Sequence, residues 1–155
     1  MPIMMKFEGS DGAVDAAGYE KYILLEDVEW GIERNLDSVG ADANQRARPT
    51  TQHLKVVKMM DLSTSGLLTE LLTGKLNRSV TIDWVRTNKT GNLEAYVRIT
   101  LTDATITKWK LAMAGDRPVD TFMLGFKQFE LKTWAWSNDA AGTSSSVGYD
   151  IYGGR

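Results

Sequence analysis

The sequence has no cysteine and a single histidine, His53. The first absence excludes disulfides, thiolate nucleophiles and thiolate metal ligands. The two together leave no Zn or transition-metal set built from imidazole and sulfur. One histidine and no G-x-S-x-G also remove the sequence signs of a hydrolytic triad. Gly66…Gly74-Lys75 has the wrong glycine spacing for a phosphate loop, and Leu76 stands where Ser or Thr is needed. Calcium loops with spaced aspartates are absent. No cofactor is therefore expected. There is no excess of one charge sign either: 18 basic against 20 acidic residues gives a net charge of −2. That balance offers no general attraction to nucleic acid or anionic membrane. Arg46, Arg48 and Lys55 form the only loose basic group, and no Trp interleaves with it. No window approaches the ~18 apolar residues of a membrane span. The N-terminal MPIMMKFEGSDG lacks a basic region followed by a sustained apolar run, so no Sec signal is expected there. The glycosylation sequons at Asn77 and Asn88 then have no export route to support them.

What remains is an ordinary composition in 155 residues, 43% hydrophobic and 25% charged. That length suits one domain, residues 1–155, large enough to bury a core without staples.

Ile3 to Phe7 reads as a strand closed by the turn cluster Glu8 to Gly12. Tyr22 to Arg34 alternates most clearly. Leu24, Val28, Trp30 and Ile32 lie in one phase, with Glu26 the exception. Asp27, Glu29 and Glu33 lie in the other, beside Leu25, so one face is expected to be acidic. Asn35 to Gln52 is polar and about as long as an unstructured loop normally becomes. Leu54 to Met60 is a short strand. Asp61 to Lys75 then carries Leu67, Leu68, Leu71 and Leu72 on one helical face, with Asp61, Ser63, Thr64 and Ser65 as cap oxygens and Gly74 as the stop. Plain core packing is the expectation for that leucine face.

Ser79 to Arg86 is another strand, and Asn88 to Asn92 a hairpin loop. Glu94 to Thr102 alternates well, but the phase changes after Asp103, which suggests a bulge or bend. Val119 to Trp136 is aromatic, β-prone and free of proline. Phe122, Leu124 and Phe126 share one face; Phe129 and Leu131 sit on the other; Trp134 and Trp136 return to the first. The slip between Phe126 and Phe129 implies a bulge or bend where the strand changes neighbours. A Gly/Ser-rich segment and a last strand from Tyr149 to Tyr152 follow. Short connections imply antiparallel pairing: a mainly β, two-sheet barrel with one flanking helix. There are more apolar strand faces than one small core needs, which points to a partner surface.

Several ordered segments carry a family resemblance. They are KFEGSDG; GYEKYILLEDVEWG, with its closing W-G; LKVVKMMDLSTSGLLTELLTGK, a strand, a K-x-x-D, a Ser/Thr cap and a leucine helix; LEAYVRITLTDATITKW; and DTFMLGFKQFEL. In that order and spacing the chain resembles the haemolysin-coregulated (Hcp) family, the tube component of bacterial type VI secretion systems. The family often has Ser-Pro at the helix start, where this chain has Thr64-Ser65; proline there is favourable but not required.

The resemblance implies a non-enzymatic protein that forms homo-hexameric rings. The rings stack into a tube inside a contractile sheath, meet a spike or tip protein and carry small effector proteins. It implies a bacterial cytoplasmic location before firing and secretion afterwards without a Sec signal. It places Glu29 facing the channel, and the strand's alternation sets Asp27 and Glu33 on the same face, so all three are expected there. Asp42, Gln45, Arg46 and Arg48 fall on the loop that contacts neighbouring rings. The second apolar face left by the phase slip, Phe129 and Leu131, is then expected to be covered partly by the helix and partly by the next subunit. A tail-tube protein of a phage or related contractile particle, and a small-molecule-binding β-barrel, are the alternative readings.

Overall fold

The computed structural model describes residues 2–34, 49–136 and 141–154. Its strands form two sheets that share one long strand. The first sheet runs β2 (Ile23–Leu25), β1 (Ile3–Phe7), β7 (Arg78–Thr87), the N-terminal half of β8 (Leu93–Ala114), β10 (Gln128–Trp136) and β11 (Ala141–Asp150). The second runs from the C-terminal half of β8 through β9 (Arg117–Gly125) and β6 (Leu54–Met59) to β3 (Asp27–Glu29). All of these pairs are antiparallel. A separate two-stranded ribbon pairs β4 (Ile32–Glu33) with β5 (Thr50–Thr51).

The expected change of phase after Asp103 is where β8 leaves one sheet for the other. Asp103 adopts φ +53°, and the register slips beside it. Aspartate is among the few non-glycine residues that visit this conformation readily. Residues up to Thr102 pair with β10 and those up to Ala104 with β7, whereas those from Thr105 pair with β9. The stretch Val119 to Trp136 breaks in the same way. It forms two strands, β9 and β10, separated at Phe126 and Lys127, each in a different sheet. Changing sheets exchanges the inward and outward sides, so a period-two pattern must lose its phase there.

Tyr22 to Arg34 differs from the single strand expected of it. It is three short strands, and Glu26 is the crossing point between the sheets. Ile23 and Leu25 are buried in the first sheet, Leu24 is 48% exposed, and the inward phase resumes with Val28 and Trp30. The Gly/Ser-rich segment also differs: it is strand β11, paired with β10 through its backbone. The chain turns after Asp150, whose carboxylate accepts the Tyr152 and Gly153 amides, so no strand spans Tyr149 to Tyr152.

The core lies between the two sheets. Met5, Phe7, Ile23, Val80, Ile82, Leu101 and Phe129 from the first meet Leu54, Val56, Phe122 and Leu124 from the second. Helix α1 (Ser63–Thr73) packs against β8 and adds Leu67. Its start is organised by Asp61, which accepts the Ser63 amide and hydroxyl while its own amide donates to Thr64 Oγ1. Its end is Gly74 at φ +67°, donating to Glu70 O. The helix is rotated from the expected leucine face. Ser63, Thr64, Leu67 and Glu70 are buried, whereas Leu72 is 77% exposed. Glu70 turns inward because Arg78 grips it with two hydrogen bonds of 2.8–2.9 Å. Gly66 permits the close approach, since a Cβ there would lie 2.7 Å from Ser10 Oγ.

Candidate functional site

The outward face of the second sheet carries exposed polar residues in a regular layout. Residues paired across antiparallel strands point to the same side. The registers therefore define two rows. One is Glu29, Lys55, Met123 and Lys108; the next is Asp27, Val57, Thr121 and Lys110. Lys55, Lys108, Lys110, Ala112, Thr121 and Met123 line a depression of about 220 Å³ on this face. Alternation requires this exposure: the neighbouring positions Leu54, Val56, Lys58, Asp120, Phe122 and Leu124 are all buried on the other side.

Two of the three expected acidic residues thus share one exposed surface. Glu33 does not join them. It pairs with Thr50 in the separate β4–β5 ribbon. Nor is the face simply acidic. Lys55 Nζ lies 3.6 Å from Glu29, and Lys108 and Lys110 stand on the far strand. Periodicity in one strand cannot show what its neighbours carry across the sheet.

Trp30 anchors the end of β3. Its Nε1 donates to Gln52 O at 3.0 Å, and its ring meets Phe126 and Phe129 edge-on. Gln52 N–H donates to Gly31 O, closing the base of the ribbon. The W-G pair therefore ties the ribbon to the core. The residues expected to contact neighbouring rings, Asp42, Gln45, Arg46 and Arg48, lie outside the described residues.

Phe129 requires a correction. It is only 8% exposed and belongs to the chain's own core, enclosed by Trp30, Phe126 and Tyr149. The phase slip that suggested an uncovered face is the sheet change itself, so Phe129 needs no neighbouring copy. Leu131 is half-buried against the same core.

Two polar clusters hold the sheets in place. In the second sheet, Lys58 is fully buried. Its ammonium donates to Asp120, Asp61, Thr64 Oγ1 and the Met59 carbonyl at 2.9–3.2 Å. Asp120, also fully buried, further accepts from Thr64 Oγ1 and, at 3.1 Å, from Trp109 Nε1. Burial pushes the Asp61 carboxyl up, but hydrogen bonds from Ser63 and Lys58 outweigh this and hold it below its ordinary value. The cluster joins β6, β8, β9 and the start of α1, which gives the K-x-x-D spacing a structural role. Its signal was in the sequence: Lys58 and Asp120 fall in the inward phases of two adjacent strands.

In the first sheet, Arg98 grips the buried Asp83 with two bonds of 2.7 and 2.9 Å, and Tyr19 Oη donates to the same carboxylate. Burial, then the bond to Asp83, pushes the Tyr19 phenol well above its ordinary value. Tyr19 and Tyr22 stack edge-on, so the segment after β1 is clamped onto the sheet's outer side. Gly12 belongs to this clamp: a Cβ there would lie 2.2 Å from Tyr22 O. His53 is exposed, with Nδ1 2.9 Å from Thr107 Oγ1. Among the described residues, no group of three or more His, Asp or Glu side chains could hold a metal ion, and no helix is long and apolar enough to cross a membrane.

Known proteins share this architecture. A solved type six secretion system protein superposes with TM-score 0.85 at 18% identity, covering 99% of this chain and 98% of its own. Hcp1 from Salmonella typhimurium gives TM-score 0.76 at 17% identity, covering 99% and 97%. A type VI secretion system effector from Yersinia pestis gives 0.74 at 18%, covering 96% and 99%. At such identities the likeness speaks for the fold. A search of curated protein sequences finds no match. The sequence profile described as type VI secretion system effector, Hcp, matches residues 4–133. That match spans most of the chain and includes β3, its W-G pair, the Lys58 cluster and both halves of β8, so this chain belongs to the Hcp family of type VI secretion systems.

Proposed function

We propose that six copies of this chain form a ring, that rings stack into the inner tube of the secretion machine, and that the outward face of the second sheet lines the channel. The observation that carries this reading is the family match across residues 4–133, joined to a sheet that is apolar on one side and charged on the other. A channel wall needs such a surface: an apolar side for the subunit's own core and a wet side for cargo. Asp27 and Glu29 then face the lumen with Lys55, Lys108 and Lys110. Glu33, on the ribbon, sits at the root of the segment proposed to touch the next ring, together with Asp42, Gln45, Arg46 and Arg48. Leu131 remains the candidate for subunit contact.

In this role the chain acts by assembly and transport rather than catalysis. Its partners are other copies of itself, the contractile sheath, the tip protein and small effectors held in the lumen. It resides in the bacterial cytoplasm until firing and leaves with the tube. A phage-type tail tube would share the shape, but the family match favours the secretion machine. A small-molecule barrel fits less well, because Phe7, Ile82, Leu101 and Phe122 fill the interior.

The reading predicts that the protein appears in the culture medium of cells with an intact machine. Deleting the sheath should abolish that release while leaving the intracellular level unchanged. Equal release with and without the sheath would contradict it.

A further inference from the structure

The chain carries a net charge of −2, yet the outward face of its second sheet is weighted the other way. Pairing register puts Lys55, Met123 and Lys108 in one row and Val57, Thr121 and Lys110 in the next. The row nearest the β8–β9 turn adds Arg117, which is exposed and reaches Met59 Sδ at 3.7 Å. Against these cations the rows set two acids, Asp27 and Glu29, both on the far strand β3. Glu29 has only the loose 3.6 Å contact to Lys55, and neither Lys108 nor Lys110 has an ion-pair partner among the described residues.

From this we infer that the depression bounded by Lys55, Lys108 and Lys110 is a cargo-recognition site for acidic protein segments, in which glutamate or aspartate alternates with apolar residues. The inference rests on reading this face as the channel wall and names the class of cargo that the wall selects. Spacing suits it. Lys108 and Lys110 are two residues apart, about 6.8 Å along β8, and Lys55 lies two strands away, roughly 9.6 Å across the sheet. Three ammonium groups on flexible stems thus surround a depression of about 220 Å³. That space accommodates a glutamate side chain, whose carboxylate can meet two ammonium groups at once. Ala112, Thr121 and Met123 complete the lining. Thr121 offers a hydroxyl, and Met123 an apolar surface that adapts to different shapes.

Chemistry favours an acidic protein over the other polyanion such a surface could attract. A single-stranded nucleic acid is held by aromatic platforms as well as charge. Here alternation turns Phe122 and Trp109 toward the core, so these rows present no ring for a base to stack on. Asp27 and Glu29 mark the site's boundary and draw an acidic segment toward β8 rather than β3. In a ring the site recurs in every subunit around one channel. Repetition multiplies a weak single contact, and a cleft weighted to one sign concentrates the other. Each contact alone stays weak and sensitive to salt, because exposed charges are screened. That combination suits cargo that must be retained in transit and released on delivery.

The test is fluorescence anisotropy of rhodamine-labelled probes titrated with the full-length protein at low salt. The probes are a short peptide alternating glutamate with leucine, its counterpart alternating lysine with leucine, and a short thymidine oligonucleotide. The wild type should bind the glutamate peptide about tenfold or more tightly than the lysine peptide. Added salt should weaken that binding. Lys55→Gln/Lys110→Gln should reduce it about fivefold or more, while Lys75→Gln, an exposed lysine beyond α1, should leave it unchanged. Lys55→Glu/Lys110→Glu should reverse the preference and bind the lysine peptide, a gain that misfolding cannot imitate. The inference is overturned if the two peptides bind the wild type alike, or if the Lys55→Gln/Lys110→Gln variant binds the glutamate peptide as the wild type does. Tighter binding of the oligonucleotide than of the glutamate peptide would also overturn it. The site is open in the single chain, so binding is read whether or not rings form. A wild type that binds the glutamate peptide but forms no rings would uphold the site and refute the ring reading.

Discussion

Lys58→Met is expected to lower the stability of the isolated chain by about 3–5 kcal/mol, the range for removing one partner of a buried ion pair. The substitution preserves length and apolar volume but leaves Asp120 fully buried with its cation gone. Thr64 and Trp109 still donate to Asp120, so hydrogen bonding persists while the charge becomes uncompensated. The lost ammonium also deserts Asp61 and the Met59 carbonyl, both at the entrance to α1. Urea unfolding should show a lower midpoint with an unchanged slope. Adding Asp120→Asn should recover part of the loss, because it removes the stranded charge. A loss below about 1 kcal/mol for Lys58→Met, the scale of an exposed surface pair, would show that this cluster is not the tie it is taken to be.

Phe129→Ala is the second large effect, about 3–5 kcal/mol in the monomer, the usual range for deleting a buried aromatic ring. The ring fills the junction where β10 enters the first sheet, between Trp30, Phe126 and Tyr149. Its removal would leave a cavity and loosen Trp30, which holds the base of the β4–β5 ribbon. Monomer stability is the decisive readout. If unfolding of the isolated chain were unchanged and only assembly suffered, Phe129 would belong to an interface after all.

These two residues also show what the sequence makes legible. Alternation in Leu54, Val56 and Lys58, and in Asp120, Phe122 and Leu124, states plainly which residues face inward. It even flags the charged pair, because a lysine and an aspartate in the apolar phase of two strands must meet something. The helix is equally legible in its extent, from the cap cluster and Gly74. Its rotation is not, because Glu70 is drawn inward by Arg78 from a strand that follows the helix. Sheet membership is the harder quantity. At Glu26, Asp103 and Phe126 the chain passes between sheets, and the periodic pattern records only a slip. For the same reason Phe129 reads as unpartnered in one dimension and is enclosed in three. The strand β11 was hidden because its small residues pair through the backbone rather than through buried side chains. On the candidate site, Asp27 and Glu29 could be assigned to one exposed face from their spacing. The lysines that share that face arrive from strands far along the chain, and only pairing register brings them together.

The central claim is that this chain is a ring-forming tube subunit. The most direct measurement is negative-stain microscopy of the purified wild type, paired with its mass by size-exclusion chromatography and light scattering. The account predicts six-fold rings with an open centre and a mass near six times the 17.2 kDa chain. A homogeneous 17.2 kDa monomer persisting at high protein concentration and low salt would contradict it.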